Sequence, residues 1–241
     1  MATATAESVR LGVLVPSINV VVEPDFYQMA PRHVSIHFTR MAASSAVVSP
    51  EILKQFLEHL EEALTLLADA EVSAVALACT SASFYRGLGG DEAVIARAEK
   101  IVRPTTTTST AVIAALQTLG MERIGVVTPY PKEINALLVS FLEGQGVEVA
   151  DLQALEGLNP ETIPQQPASV VYQLAKSVAS PSVDGVFVSC TGLPAIEMID
   201  TLESEIGKPM VTANQATFWH LLRLANVSEK INGYGELLRR D

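Results

Sequence analysis

The chain has 241 residues, 49% of them hydrophobic and 18% charged, with a formal net charge of -11. That length suits one large or two small domains with ample core, and the apolar share excludes a disordered chain. The acidic balance argues against a nucleic-acid partner, which needs a basic footprint.

The remaining bounds are local. No apolar run reaches the roughly 18 residues that span a bilayer. The start, Met1 to Arg10, is polar and lacks a signal peptide's apolar stretch. The expected location is therefore the cytoplasm, with no membrane partner and with both cysteines reduced.

In chain order, Arg10 to Pro16 reads as a first buried strand, and Pro16 to Asn19 as a polar turn at its carboxyl end. Val20 to Met29 follows as a helix. Val34 to Met41 alternates as a second strand and leads into a loop of small residues. Ser49 and Pro50 mark a helix start. Behind them Leu53, Phe56, Leu57, Leu60, Leu64 and Leu67 recur at helical spacing. Val72 to Ala78 is an uncharged run of the kind buried on both faces of a parallel sheet, and it ends at Cys79. A loop over Ser83–Gly90, a helix over Glu92–Val102, a break at Pro104 and a short strand at Thr105–Thr108 come next. Ser109 is expected to cap a helix reaching Leu119.

The pattern then restarts. Arg123 to Tyr130 parallels Arg10 to Ser17, with Pro129 standing 113 residues after Pro16. A helix to Gln145, a strand over Val147–Leu155, a loop at Leu158–Pro160 and a helix over Ala168–Ala179 follow. Val183 to Ser189 is a second buried run, ending at Cys190, 111 residues after Cys79. A helix over Ala195–Ile206, a strand at Met210–Ala213, a helix over Gln215–Ala225 and a Gly-Tyr-Gly tail complete the chain. Strands alternating with helices predict an α/β fold of parallel βαβ units. The restart predicts an internal duplication into two pseudo-symmetric halves: residues 9–104 with 213–241 around Cys79, and 105–212 around Cys190.

Open α/β sheets bind ligands beyond the carboxyl ends of their strands. A lone cysteine there is ordinarily a buried structural thiol. Two at matching places in two halves put one thiol on each wall of a central cleft. A thiol ahead of a helix N-terminus is expected to ionise more readily than usual. A thiolate can take a proton beside a carbonyl or add to an electron-poor double bond, and a facing thiol can return a proton. That chemistry needs no metal and no organic cofactor. His33, His37, His59 and His220 have no metal-ligand spacing, and neither a dinucleotide nor a phosphate-loop motif is present. Arg40 and Arg86 are equally suited to a carboxylate or to a surface ion pair.

The segments Val15–Asn19, Cys79–Gly87, Ser109–Ala111, Thr128–Tyr130, Ser189–Gly192 and Gly233–Gly235 together resemble the aspartate/glutamate racemase superfamily. Nearly the whole chain resembles its branch of maleate cis-trans isomerases and arylmalonate decarboxylases. The resemblance implies two Rossmann-like halves with the site between them. It implies Cys79 as nucleophile on an alkene carbon and Cys190 as acid and base. It implies Asn19, Tyr130 and Asn159 as carboxylate ligands, with Thr80, Ser81 and the Thr191 amide. The substrate is then a small dicarboxylate, and the product of maleate is fumarate. Decarboxylases of the branch carry glycine where this chain has Cys79, and racemases typically have Cys-Asn-Thr there, so both serve as alternatives. A non-catalytic acid-binding module is the third. The unpaired sheet edges of such halves leave room for a homodimer.

Overall fold

A computed structural model describes residues 8–43, 48–155 and 157–240. The polar start before Ser8 and most of the small-residue loop after Met41 lie outside the described residues.

Two four-stranded parallel sheets make up the fold, in the orders β2-β1-β3-β4 and β6-β5-β7-β8. The first contains β1 (Val9–Pro16), β2 (Val34–Met41), β3 (Ala74–Leu77) and β4 (Thr105–Thr107). The second contains β5 (Arg123–Thr128), β6 (Glu148–Ala154), β7 (Gly185–Val188) and β8 (Met210–Thr212). The two orders are the same once four is added to each label, as an internal duplication requires. β3 and β7 are buried along their whole length, which explains why both read as uninterrupted apolar runs. β6 is an edge strand of alternating exposure, with a register shift opposite Ile124 and Gly125.

One position recurs in both halves for a steric reason. A Cβ on Gly12 of β1 would stand 2.9 Å from a Val75 methyl, and one on Gly125 of β5 would fall onto the Val178 carbonyl. Helix-to-sheet packing leaves no room there for a side chain.

The helices are α1 (Val22–Met29), α2 (Pro50–Phe56), α3 (Leu60–Asp69), α4 (Thr80–Phe84) and α5 (Gly90–Ala98), then α6 (Thr108–Thr118), α7 (Lys132–Gly144), α8 (Ala168–Ser177), α9 (Ile199–Ile206) and α10 (Ala213–Leu224). Ser49 caps α2 as expected, accepting from the Ile52 amide at 3.4 Å. The long helix expected beyond it is interrupted by a 3-10 turn at Leu57–His59. The Leu57 carbonyl in that turn accepts from Arg97 at 2.9 Å. The apolar stripe survives the break: Leu53 through Leu67 remain buried at all six predicted positions.

Several boundaries differ from expectation. The loop expected over Ser83–Gly90 is shortened, because α4 starts directly after Cys79 and α5 starts at Gly90. Thr107, not Ser109, caps α6 by accepting from the Thr110 amide at 3.2 Å. The Ser109 hydroxyl is held by Ser83 at 2.6 Å instead, which docks α4 on the start of α6. The strand Thr105–Thr107 pairs with β3 in the first sheet, although the sequence reading opens the second half at residue 105.

α10 packs against α6, β3, β4 and α1, and so joins the end of the chain to the first sheet. Its Thr217 hydroxyl donates to Thr108 of α6 at 3.0 Å. One apolar cluster runs from Leu11, Val13 and Phe26 to Val126, Phe187 and Leu221. The two halves therefore share a core. No helix among the described residues is long and apolar enough to cross a membrane.

Candidate active site

The two cysteines stand at equivalent places. The Ala78 amide donates to the Leu14 carbonyl at 2.9 Å, and the Ser189 amide donates to the Val127 carbonyl at 2.8 Å. Each bond is the last rung of its sheet before a cysteine. Beyond these rungs the walls of the cleft differ. Cys79 is extended, with φ -149°, and is the N-cap residue of α4. Cys190 has φ +98°, a conformation that an L residue adopts at a cost of about 1–3 kcal/mol. No helix begins directly after it: a tight turn intervenes, with the Leu193 amide donating to the Cys190 carbonyl, and the next element is a 3-10 turn at Ile196–Met198. The expectation of a helix N-terminus behind both thiols therefore holds only for Cys79. Behind Cys190 the Gly192 amide takes that part, donating to the sulfur at 3.4 Å.

Both thiols line one cavity of about 100 Å³, together with Asn19, Thr80, Ser81, Tyr130 and Thr191. Asn19 ties the walls together. Its Oδ1 accepts from the Val21 and Val22 amides at the start of α1, and its Nδ2 donates to the Thr191 hydroxyl at 3.2 Å. The Thr191 hydroxyl in turn donates to the Ala78 carbonyl at 3.3 Å. The Tyr130 ring stands edge-on to Phe84, with centroids 5.9 Å apart. Thr80 Oγ1 is buried and has no hydrogen-bond partner among the described residues, so it is free to bond a ligand.

Asn159 is the exception. It is not among the cavity residues; Pro160, Ile163 and Pro164 of its segment are. The Asn159 oxygen is held by the Glu161 and Thr162 amides in a local turn. Asn159 thus shapes the loop that presents these neighbours.

Among the described residues, no charged side chain lines the cavity. Arg40 is spent on the loop above it, donating to the Ser17 and Asn19 carbonyls at 3.0 and 2.7 Å and pairing with Glu23 at 2.9 Å. Arg86 donates to the Tyr85 hydroxyl at 2.8 Å. Much of the remaining lining is apolar, with Val48, Ile52, Leu53 and Phe56 on and just before α2. The sequence reading did not select these side chains. The predicted stripe held Leu53 and Phe56 as buried, but only the docking of α2 turns them, with Ile52, toward the cleft.

Burial governs the thiols. It pushes Cys79 from 9.0 up to about 11, against the Ala82 amide and the Ser81 hydroxyl, which pull down. The neighbouring Cys190 adds to the rise. Burial also raises Cys190, opposed by the Gly192 and Leu193 amides and the Tyr130 phenol. Burial holds the Tyr130 phenol well above its usual value, so it is a donor at neutral pH. The lowered thiol pKa expected from sequence is thereby overturned. α4 has only five residues, and the loss of water around the sulfur outweighs the pull of the Ala82 amide in its first turn.

A family model described as arylmalonate decarboxylase matches residues 11–238. The chain belongs to this family. It is 29% identical to a maleate isomerase of Nocardia farcinica over 246 residues, covering 96% of each chain. It is 29% identical to an arylmalonate decarboxylase of Bordetella bronchiseptica over 236 residues, covering 96% of this chain and 97% of that one. Its fold matches a Nocardia farcinica maleate cis-trans isomerase mutant with a covalently bound succinylcysteine intermediate. That match has a TM-score of 0.90 and 28% identity, and covers 97% and 99% of the two chains. The whole chain is thus of the α/β racemase-like architecture.

Proposed function

We propose that this protein is an isomerase that converts maleate, or a close cis-enedioic acid, to the trans acid through a covalent cysteine adduct. The observation that carries the reading is the pair of thiols on one cavity, Cys79 on the first wall and Cys190 on the second. A protonating cysteine alone serves a decarboxylation. A second one, able to attack carbon, has a use in isomerisation. The succinylcysteine in the Nocardia relative is the kind of adduct such a thiol would form.

The reactive form holds one proton between the two sulfurs. The Cys79 thiolate adds to one alkene carbon, and the electron pair of the double bond moves toward the far carboxylate. Cys190 delivers its proton to the neighbouring carbon and becomes the thiolate. The former double bond is now single and rotates. Cys190 takes the proton back, the double bond re-forms, and the Cys79–carbon bond breaks to release the trans acid and the original thiolate. Neutral donors suffice for the carboxylates: the Thr80 and Ser81 hydroxyls, the Tyr130 phenol, Asn19 and the amides around Thr191 are desolvated and preset. No organic cofactor or metal enters this scheme.

Incubation with maleate, followed by NMR, tests the reading: fumarate should appear without added cofactor. The apolar wall of Val48, Ile52, Leu53 and Phe56 favours one second reading, a decarboxylase that seats an aryl group there. Loss of carbon dioxide from arylmalonates, with no fumarate from maleate, would replace the first reading by the second.

A further inference from the structure

Asp25 is a carboxylate only 6% exposed, placed on α1 among apolar neighbours, and no step above uses it. It stands on the buried stripe of α1 with Val22, Phe26 and Met29. Burying a carboxylate costs free energy unless its oxygens are bonded. Here one oxygen accepts from Asn214 Nδ2 at 2.6 Å, across 189 residues of chain. The same Asn214 nitrogen donates its other hydrogen to the Thr191 carbonyl at 3.2 Å. That carbonyl belongs to the Thr191–Gly192 peptide, whose N–H points the opposite way, at the Cys190 sulfur 3.4 Å off. A planar trans peptide keeps its C=O and N–H antiparallel. Fixing one therefore aims the other.

We propose that Asp25 is a positioning residue: by locking the Asn214 amide, it holds the Thr191–Gly192 peptide so that its N–H stays on the Cys190 sulfur. An amide side chain turns about its last torsion with broad freedom. Asp25 removes that freedom by claiming one of the two hydrogens. The anchored peptide then supports a Cys190 backbone that would otherwise relax from φ +98°. The consequence falls on Cys190 as an acid. A well-aimed N–H stabilises its thiolate and so eases the delivery of its proton. The role at Cys190 rests on the proton-donor reading above, but the geometry from Asp25 to the sulfur does not.

The test reads the sulfur directly and needs no turnover. With Cys79→Ala, Cys190 is the sole thiol of the chain. Its rate of alkylation by iodoacetamide against pH gives the midpoint of its ionisation. Adding Asp25→Ala should raise that midpoint by about one pH unit, roughly tenfold less thiolate at a fixed pH. Asn214→Ser should raise it similarly, and the two together no further, because both act through one peptide. Asp25→Asn keeps an oxygen facing Asn214 and should restore the parent midpoint. If one truncation fails to fold, the other carries the comparison. Asp25→Asn, nearly isosteric, then tests position against charge: a shift there as large as in the truncations overturns the proposal. So does an unshifted midpoint in a folded Asp25→Ala or Asn214→Ser protein, or additivity of the two. Failure of maleate turnover in the parent protein would overturn the isomerase reading alone.

Discussion

The two cysteines are alike in place and unlike in surroundings. Cys79 stands at the start of α4, with the Ala82 amide and the Ser81 hydroxyl, 4.0 Å away, facing its sulfur. Cys190 carries the Gly192 amide on its sulfur and a constrained backbone. Under the proposed mechanism, Cys190→Ala still lets Cys79 add to maleate, and the adduct then persists or turns over slowly with water as proton donor. Mass spectrometry should find the protein heavier by one maleate. Cys79→Ala should give neither adduct nor fumarate, and Cys79→Ser should fail almost as fully, because among the described residues no histidine lines the cavity to activate a hydroxyl. An adduct on Cys190 instead would exchange the two roles.

Acidity gives a second test of the same residue. Burial lifts Cys79 to about 11, so its thiolate is a small fraction at neutral pH. In the Cys190→Ala protein, alkylation of Cys79 should rise about tenfold per pH unit between pH 8 and 10 and show no plateau there. A plateau near pH 8.5 would mean an unperturbed thiol. The same shift carries a sign for stability. Between pH 9 and 11 the folded state holds the Cys79 proton and the unfolded state does not, so this contribution to stability is lost as pH rises through that window.

Among the elements, the strand-helix contacts that duplicate across the halves are not equally tolerant. A Cβ on Gly12 would meet methyl groups of Val75, Val72 and Leu67, which can turn aside. A Cβ on Gly125 would meet the Val178 carbonyl, which is backbone at the end of α8. Gly125→Ala should therefore destabilise by about 2 kcal/mol and lower Tm by about 4–8 °C, with Gly12→Ala costing clearly less. Thermal unfolding of both variants checks the order, and equal costs would show that β5 yields as easily as β1. The 3-10 turn between α2 and α3 makes a related point. Its side chains keep the predicted apolar stripe while its backbone gives a carbonyl to Arg97. Hydrophobic spacing specified which face is buried. It did not specify how the backbone between the two helices would close.

Across the whole molecule, the halves are joined by a shared core and by buried polar bonds of great sequence separation: Asn19 to the Thr191 hydroxyl, and Asn214, which Asp25 holds, to the Thr191 carbonyl. Asp25 makes that junction depend on pH. Burial raises its carboxyl from 3.8 to about 7; the Asn214 bond opposes the rise and Glu197 adds to it. The folded state thus binds a proton that the unfolded state releases near pH 4. The stability Asp25 contributes is full below pH 4 and is lost as pH rises through 7. Asp25→Asn cannot ionise. Relative to the variant, the parent protein should lose Tm between pH 5 and pH 8, and melting curves of both at the two pH values measure the difference. Parallel losses in the two proteins would show that Asp25 does not titrate in this range.

The sequence by itself determined the parallel α/β architecture, its duplication and the two thiols at strand ends. Buried strands must be apolar throughout, and a chain that repeats its strands repeats the pattern about 111 to 113 residues on. It also supplied the polar residues of the cavity, Asn19, Thr80, Ser81, Tyr130 and Thr191, through resemblance to the family. One trace of Asp25 was there too: a lone carboxylate three and four residues from Val22 and Met29, where the stripe of α1 is apolar. Its partner Asn214 left no such trace, because their contact closes 189 residues of chain. Only the tertiary structure decided that Asn159 serves its own loop, that α2 turns an apolar wall to the cleft, and that burial overrides a short helix in setting the Cys79 thiol. The reason is physical. Periodicity reports what a residue's neighbours in sequence require, whereas desolvation and hydrogen bonding between halves depend on which surfaces meet, and that is fixed only when the whole chain packs.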